Sequence, residues 1–205
     1  MIVELLPLFI TLLIAGALAG ITAGLFGNGG GFVVVPALVF VFSILADPTS
    51  DLIFVAIGTS LATIVISSAR SVIAHRARGA VDFDVVKSWA PWLLLGVGVG
   101  LYLASFARPN QLYSVFAGGV LVYSIYFLFP KALSNMSFSD TMPTGVTRAS
   151  IASVLGGFSA LLGIGGGTPT VITMVACSRP IYQAVATASG VGFIIGLGGA
   201  IGFLI

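Results

Sequence analysis

Two clusters of glycine lie inside long apolar stretches of the sequence. The first is Gly27-Asn28-Gly29-Gly30-Gly31, and the second is Gly163-Ile164-Gly165-Gly166-Gly167. Glycine disfavours a helix interior, since each one costs roughly 1 kcal/mol relative to alanine. A helix that restarts after such a break presents free N–H groups and a positive dipole end, which together favour anions without any charged side chain. The clusters therefore predict two backbone sites for anions, built in the same way.

Backbone N–H groups and small polar side chains near the clusters form the candidate substrate-binding set. Its members are Asn28, Gly29, Gly30 and Gly31 in the first cluster, Gly165, Gly166, Gly167 and Thr168 at the second, and Thr59 and Thr187 along the path. Two other interpretations remain open. Glycines also allow helices to pack closely in membranes, and a threonine hydroxyl often bonds to the backbone of its own helix.

Short helices are expected to start at both clusters. Gly167-Thr168-Pro169 is typical of a helix start, with Thr168 as N-cap and Pro169 as the first helical residue. A helix from there to Cys177 would be about 13 Å long, near half of the hydrocarbon thickness. In the first half, Pro36 favours an extended residue before it, which predicts a short helix from Pro36 to Leu45.

The composition places these elements in a lipid bilayer. Of 205 residues, 58% are hydrophobic and 7% charged, and the mean hydropathy is +1.18, whereas soluble domains carry about 25% charged residues. Full spans are expected at 5–26, 52–73, 89–107, 112–129 and 181–205, with shorter apolar pieces at 32–45, 148–162 and 168–177. The sequence predicts an all-α integral membrane protein, a polytopic helical bundle.

The composition also limits the other function classes. The basic residues are scattered, so nucleic acid is not an expected partner. The chain has a single cysteine and a single histidine, and no cofactor is predicted. The spans hold neither a nucleophile with a base nor a cluster of metal ligands, so an enzyme is not expected.

The two halves of the chain repeat each other. Residues 24–31 align with 160–167, and Ala56-Ile57-Gly58-Thr59 aligns with Ala184-Val185-Ala186-Thr187. If each glycine element is a broken, re-entrant helical hairpin, three spans separate the two, and an odd number inverts the second copy. The expected repeats are residues 1–129 and an incomplete second copy at 130–205. Inverted repeats with discontinuous helices are typical of secondary transporters. A missing surface in the second copy could be supplied by a homo-oligomer.

The distribution of basic residues predicts the orientation. Arg70, Arg76, Arg78 and Lys87 cluster around one loop, whereas the preceding loop carries Asp47 and Asp51. Lys and Arg in short loops accumulate on the cytoplasmic side. The loop at 74–88 is therefore expected to be cytoplasmic, in a multi-pass protein of the cell membrane.

These motifs together resemble the sulfite exporter TauE/SafE family of membrane permeases. The resemblance covers nearly the whole chain and depends on the two glycine clusters, on Ala56 to Leu61 and on the basic loop from His75 to Asp82. It implies a bacterial or archaeal transporter for small sulfur-containing anions such as sulfite or organosulfonates. Family members usually continue beyond the position of Ile205, so a short or C-terminally truncated relative is expected. Asn28 and Pro169 depart from the usual family pattern.

The function expected from the sequence is translocation of a small oxyanion past a midplane site built from the two glycine elements. Lipid and a small anionic substrate are the expected partners. The alternative is a membrane scaffold or assembly protein that does not transport, with glycines that serve packing alone.

Overall fold

The computed structural model describes residues 2–26, 30–45, 52–128 and 141–204. All regular secondary structure in these ranges is α-helical. The helices are α1 Ile2–Phe26, α2 Gly31–Leu45, α3 Leu52–Arg76, α4 Phe83–Phe106, α5 Pro109–Leu128, α6 Gly145–Leu162, α7 Gly167–Ala176 and α8 Ile181–Leu204.

Within the residues that the structure describes, five helices are long and apolar enough to cross a membrane. They are Leu6–Gly24 within α1, and the helices α3, α4, α6 and α8, while α2 and α7 are short and apolar. Helix α8 lies at the centre of the bundle, with 61% of its most apolar window buried, whereas the corresponding value for α1 is 11%. The prediction of an all-α polytopic membrane protein is confirmed.

Helices α3 and α8 form an antiparallel pair in close contact. A Cβ added at Gly196 would lie 3.2 Å from Ile64 Cγ2, and one added at Gly192 would lie 3.0 Å from Ser68 Oγ. The aligned residues Thr59 and Thr187 are 128 positions apart (187 − 59). By this spacing Ile64 corresponds to Gly192 and Gly196 corresponds to Ser68, so the two contacts are equivalent in the two halves. The pair therefore packs as the equivalent helices of an inverted repeat should pack. The division at residues 129 and 130 stays a prediction.

Small residues bring α4 and α6 together in a parallel pair. Cβ atoms added at Gly96 or Gly156 would overlap the carbonyl oxygen of Ser153 or of Leu93, respectively. At Gly100 the added atom would lie 2.6 Å from Gly157 O. Such spacing is typical of membrane helices whose backbones touch. These glycines serve packing, as the alternative interpretation expected for glycines in general.

The directions of the helices place most of the basic residues at one end of the bundle. Helix α3 ends there, α4, α6 and α8 start there, and α7 ends there. This basic end carries Arg70, Arg76, Arg78, Lys87, Arg148 and Arg179, whereas Arg108 follows α4 at the far end. Lys131 lies outside the described residues. Arg148 at the start of α6 and Arg179 before α8 therefore join the cluster of basic residues on which the predicted orientation depends.

Helix α6 and helix α7 form a hairpin that enters the bundle and returns. Helix α6 runs from the basic end toward the far end, and α7, ten residues and about 15 Å long, runs back. Helix α2 runs the other way, because it leads to the far end where α3 starts. The two short helices therefore leave the interior toward opposite ends.

Candidate functional site

Helix α2 starts directly at the first glycine cluster. Gly30 has a φ of +82°, which a side chain would disfavour. Its carbonyl oxygen accepts hydrogen bonds from the N–H groups of Val33 and Val34, at 3.0 and 3.1 Å. The predicted start at Pro36 is therefore wrong, and Pro36 lies inside α2. The carbonyl of Gly30 closes the first turn, so the helix starts five residues before the proline.

Helix α7 starts in the same way at the second cluster. Gly166 is the N-cap, with a φ of 69°, and its carbonyl oxygen accepts from the Thr170 N–H at 3.2 Å. Thr168 is thus the second helical residue and Pro169 the third, which corrects the predicted N-cap. A glycine in the left-handed region turns the chain into the helix here, and no side chain caps it.

The aligned glycines have equivalent conformations at the two helix starts. Gly30 and Gly166 are both left-handed and both cap a helix whose first residue is a glycine, Gly31 or Gly167. In each, the first N–H groups have no acceptor within their own helix. A left-handed glycine followed by a helix that begins with glycine is therefore present in both halves of the chain.

The structure brings the two clusters into direct contact. A Cβ added at Gly31 would overlap the carbonyl oxygen of Gly163 and lie 2.7 Å from Ile164 Cα. The second turn also contacts the middle of α3 and α8, since an added Cβ at Gly165 would lie 2.8 Å from Ile64 Cγ2 and 3.8 Å from Gly192 Cα. The glycine elements therefore meet inside the bundle, against α3 between Ile57 and Ile64.

Hydrogen bonds fix the turn between α6 and α7. The Ile164 N–H donates to Ser159 O at 3.2 Å and the Gly163 N–H to Ala160 O at 3.3 Å, which is a Schellman motif. The carbonyl oxygen of Gly163 accepts from Ser60 Oγ of α3 at 2.8 Å. The turn is thus fixed by hydrogen bonds within the hairpin and by one from α3, and its four residues, 163–166, are buried.

Two buried hydroxyls near the start of α7, one from α6 and one from α7, have no hydrogen-bond partner in the described part of the chain. Thr168 is 3% exposed and Ser159 fully buried, and neither Oγ1 of Thr168 nor Oγ of Ser159 makes a bond among the described residues. A Cβ added at Gly166 would lie 3.1 Å from Ser159 Oγ, so Ser159 faces the cap of α7. An unsatisfied buried hydroxyl costs about 1–3 kcal/mol. No local sequence signal marks Ser159, because only the fold of the hairpin brings it to the glycine turn.

Thr59 lines two cavities on either side of α3. One, of about 270 Å³, lies between α1, α2 and α3, and the other, of about 320 Å³, lies between α3 and the end of α8. The hydroxyls of Thr63 and Ser67, which share the first cavity, donate to carbonyls of their own helix at 2.7 and 3.2 Å. Thr59 is thus the one of these three whose hydroxyl is not used in this way.

Thr187 is placed elsewhere in the bundle. It is fully buried, and its hydroxyl oxygen accepts a hydrogen bond of 2.9 Å from the N–H of Asp82, at the start of α4. This contact joins the loop before α4 to α8, so the structure does not bring Thr187 to the glycine turn. Asn28 and Gly29 lie outside the described residues.

Comparisons with known proteins give the family. The model of the sulfite exporter TauE/SafE family matches residues 12–205. The chain belongs to this family. TauE/SafE membership makes it a multi-pass membrane transporter, in accordance with the five apolar helices. No solved structure matches the chain.

Several curated relatives have the same general description. A probable membrane transporter protein of Haemophilus influenzae is 34% identical, and the match covers 94% of this chain and 72% of the relative. One from Methanocaldococcus jannaschii is 28% identical over 98% of this chain and 74% of the relative. YunE of Bacillus subtilis, another probable membrane transporter protein, is 29% identical over 96% of this chain and 78% of its own length. The names of these relatives agree on membrane transport and specify no substrate.

Proposed function

We propose that this transporter moves a small sulfur-containing oxyanion, such as sulfite or an organosulfonate, past the meeting point of the two glycine elements. The observation that carries the proposal is the pair of helix starts, α2 at Gly31 and α7 at Gly167, with Gly31 in contact with the turn at Gly163 and Ile164 that leads into α7. Both present the positive ends of their dipoles in a region of low dielectric constant. An enzyme is not proposed.

Thr168 and Ser159 supply the hydroxyl donors of this site. Both are buried and lack a partner among the described residues, so an oxyanion at the start of α7 would satisfy groups that are otherwise costly to bury. Neutral donors bind an anion less tightly than a fixed positive charge would, which allows release. The described glycines of both clusters are buried, and transport requires the glycine turn and the α2 start to separate.

The direct test is flux of radiolabelled sulfite into proteoliposomes. Thr168→Val and Ser159→Ala each remove one donor without breaking a hydrogen bond of the structure. A hydrogen bond to a charged partner contributes about 1.5–3 kcal/mol, so we expect kcat/KM to fall roughly 10- to 100-fold for each variant. Thermal stability should stay unchanged or rise.

Thr170→Val is the matched control. Thr170 is also buried in α7, but its hydroxyl donates to Gly166 O at 2.8 Å. This variant should lose thermal stability while its flux at saturating sulfite changes little. Full wild-type flux in the Thr168→Val and Ser159→Ala variants would contradict this site. A folded wild-type protein with no flux of any oxyanion would favour the scaffold alternative.

A further inference from the structure

A third cavity, of about 670 Å³, lies between the two arms of the α6–α7 hairpin at the basic end. Thr144, Thr147 and Ile151 line it from the start of α6, and Thr173, Ala176 and Cys177 line it from the end of α7. The closed end of the same hairpin is the glycine turn. The cavity and the candidate site therefore lie at opposite ends of one element.

Two arginines flank residues of the cavity wall in the sequence. Arg148 follows Thr144 by four residues and precedes Ile151 by three, so it shares their face of α6. Arg179 follows the end of α7. Burial raises the pKa of the Cys177 thiol, and the charge of Arg179, two residues further along the chain, opposes this increase in part. The Nε atoms of both arginines are buried and make no hydrogen bond among the described residues.

The acidic side chains that the structure describes at this end do not neutralise the arginines. Asp82 accepts a hydrogen bond of 3.1 Å from the Val85 N–H and caps α4, and Asp84 lies in the first turn of that helix. The hydroxyl of Thr144 makes no capping hydrogen bond at the start of α6. The cavity thus has the Thr144 hydroxyl on its wall, and two arginines next to the residues that line it.

We propose that this cavity is a vestibule that binds the oxyanion at the basic end, before or after it occupies the glycine turn. The anionic character of the ligand rests on the proposed function. Guanidinium groups and threonine hydroxyls are donors suited to the oxygens of a sulfite or sulfonate group. The positive charge also raises the local concentration of anions and so the rate of association.

The test measures the charge of the vestibule without transport. The substitution Thr144→Cys, at an exposed position, is made in a Cys177→Ser background. The purified protein then reacts with anionic sulfonatoethyl methanethiosulfonate or with its cationic trimethylammonium analogue. We expect the anionic reagent to be favoured, and the ratio of the two rates to fall about threefold or more on Arg148→Gln or Arg179→Gln.

Two comparisons distinguish a binding site from a general charge effect. Arg78→Gln removes the same charge from an exposed position at the same end and should leave the ratio within about twofold, because solvent screens it. Methanesulfonate should slow the labelling of the Thr144→Cys thiol with both reagents, and Arg148→Lys should keep the charge preference while weakening this protection. Equal rates for the two reagents, or a ratio that responds equally to Arg78, would overturn the vestibule.

Flux in proteoliposomes separates this inference from the proposed function. Arg148→Gln should raise KM for sulfite presented at the basic end by about threefold or more, with kcat within about twofold. A charged vestibule in a protein that fails to transport sulfite would leave the vestibule intact and refute the substrate. Normal sulfite transport with no charge preference at position 144 would support the proposed substrate and refute the vestibule.

Discussion

At the scale of single residues, the glycine turn depends on contacts that come from other helices. Ser60 of α3 donates its only hydroxyl proton to the carbonyl oxygen of Gly163. Gly163 itself has a φ of 66°, and a Cβ there would lie 3.0 Å from Val35 Cγ2 and 3.3 Å from Ile57 Cα. Conformation and space both require glycine at this position.

Replacing Ser60 by alanine is expected to destabilise the protein. The change leaves a buried carbonyl without its side-chain donor, which costs about 1–3 kcal/mol. Ser67→Ala is the matched control on the same helix, because its hydroxyl donates to Ile64 O of α3 itself, and its cost should stay below about 0.5 kcal/mol. Unfolding of both variants in detergent, followed by circular dichroism, measures the difference. Equal losses would mean that the Ser60 bond does not hold the turn.

At the scale of elements, two kinds of glycine perform different tasks. Gly30 and Gly166 change the direction of the chain through a positive φ. Gly96 and Gly156 lie within helices and permit contact between the backbones of α4 and α6. Only the first kind repeats between the two halves of the chain and belongs to the candidate site.

Two neighbouring glycines of α4 provide a matched pair for the packing role. Gly96 faces α6, whereas a Cβ at Gly98 would have no atom within 4 Å. Gly96→Ala should lower stability by about 1–3 kcal/mol through overpacking. Gly98→Ala should be neutral, or stabilising by up to about 1 kcal/mol through helix propensity. Thermal melting of the two variants decides the matter, and a stable Gly96→Ala protein would contradict the close α4–α6 contact.

At the scale of the whole molecule, the structure combines two opposed hairpin arms with an asymmetric distribution of charge. Helices α2 and α7 point to opposite ends, and α3 and α8 pack as an antiparallel pair. Six of the seven Lys and Arg side chains within the described residues lie at one end. On the proposed path, an anion would meet a positive surface at the basic end and mainly backbone dipoles at the glycine turn.

The charge asymmetry predicts which end faces the cytoplasm. In a Cys177→Ser background, the single substitutions Arg78→Cys at the basic end and Asn110→Cys at the far end each place a thiol at an exposed position. A membrane-impermeant maleimide added to intact cells should label the Asn110→Cys protein and leave the Arg78→Cys protein unlabelled until the cells are opened. Labelling at position 78 in intact cells would reverse the orientation, because the positive-inside bias would then not apply here.

The sequence by itself determined the membrane class, the positions of the helix breaks and the occurrence of a helix start at each of two glycine clusters. These features depend on composition and on short patterns, since three glycines disrupt a helix whatever surrounds them. It misplaced both short helix starts, at Pro36 and Thr168, because it treated proline and threonine as the start signals where a left-handed glycine sets the first turn.

Only the tertiary structure decided which groups meet. It placed Gly31 against Gly163, brought Ser159 and Thr168 together at the start of α7 as buried hydroxyls without partners among the described residues, and moved Thr187 to Asp82. Thr59 and Thr187 occupy aligned positions in the repeat, yet one lines cavities and the other accepts a bond from a loop. Local sequence is similar at such positions, but the neighbours come from distant segments, and long-range packing determines whether a hydroxyl is free to bind a ligand.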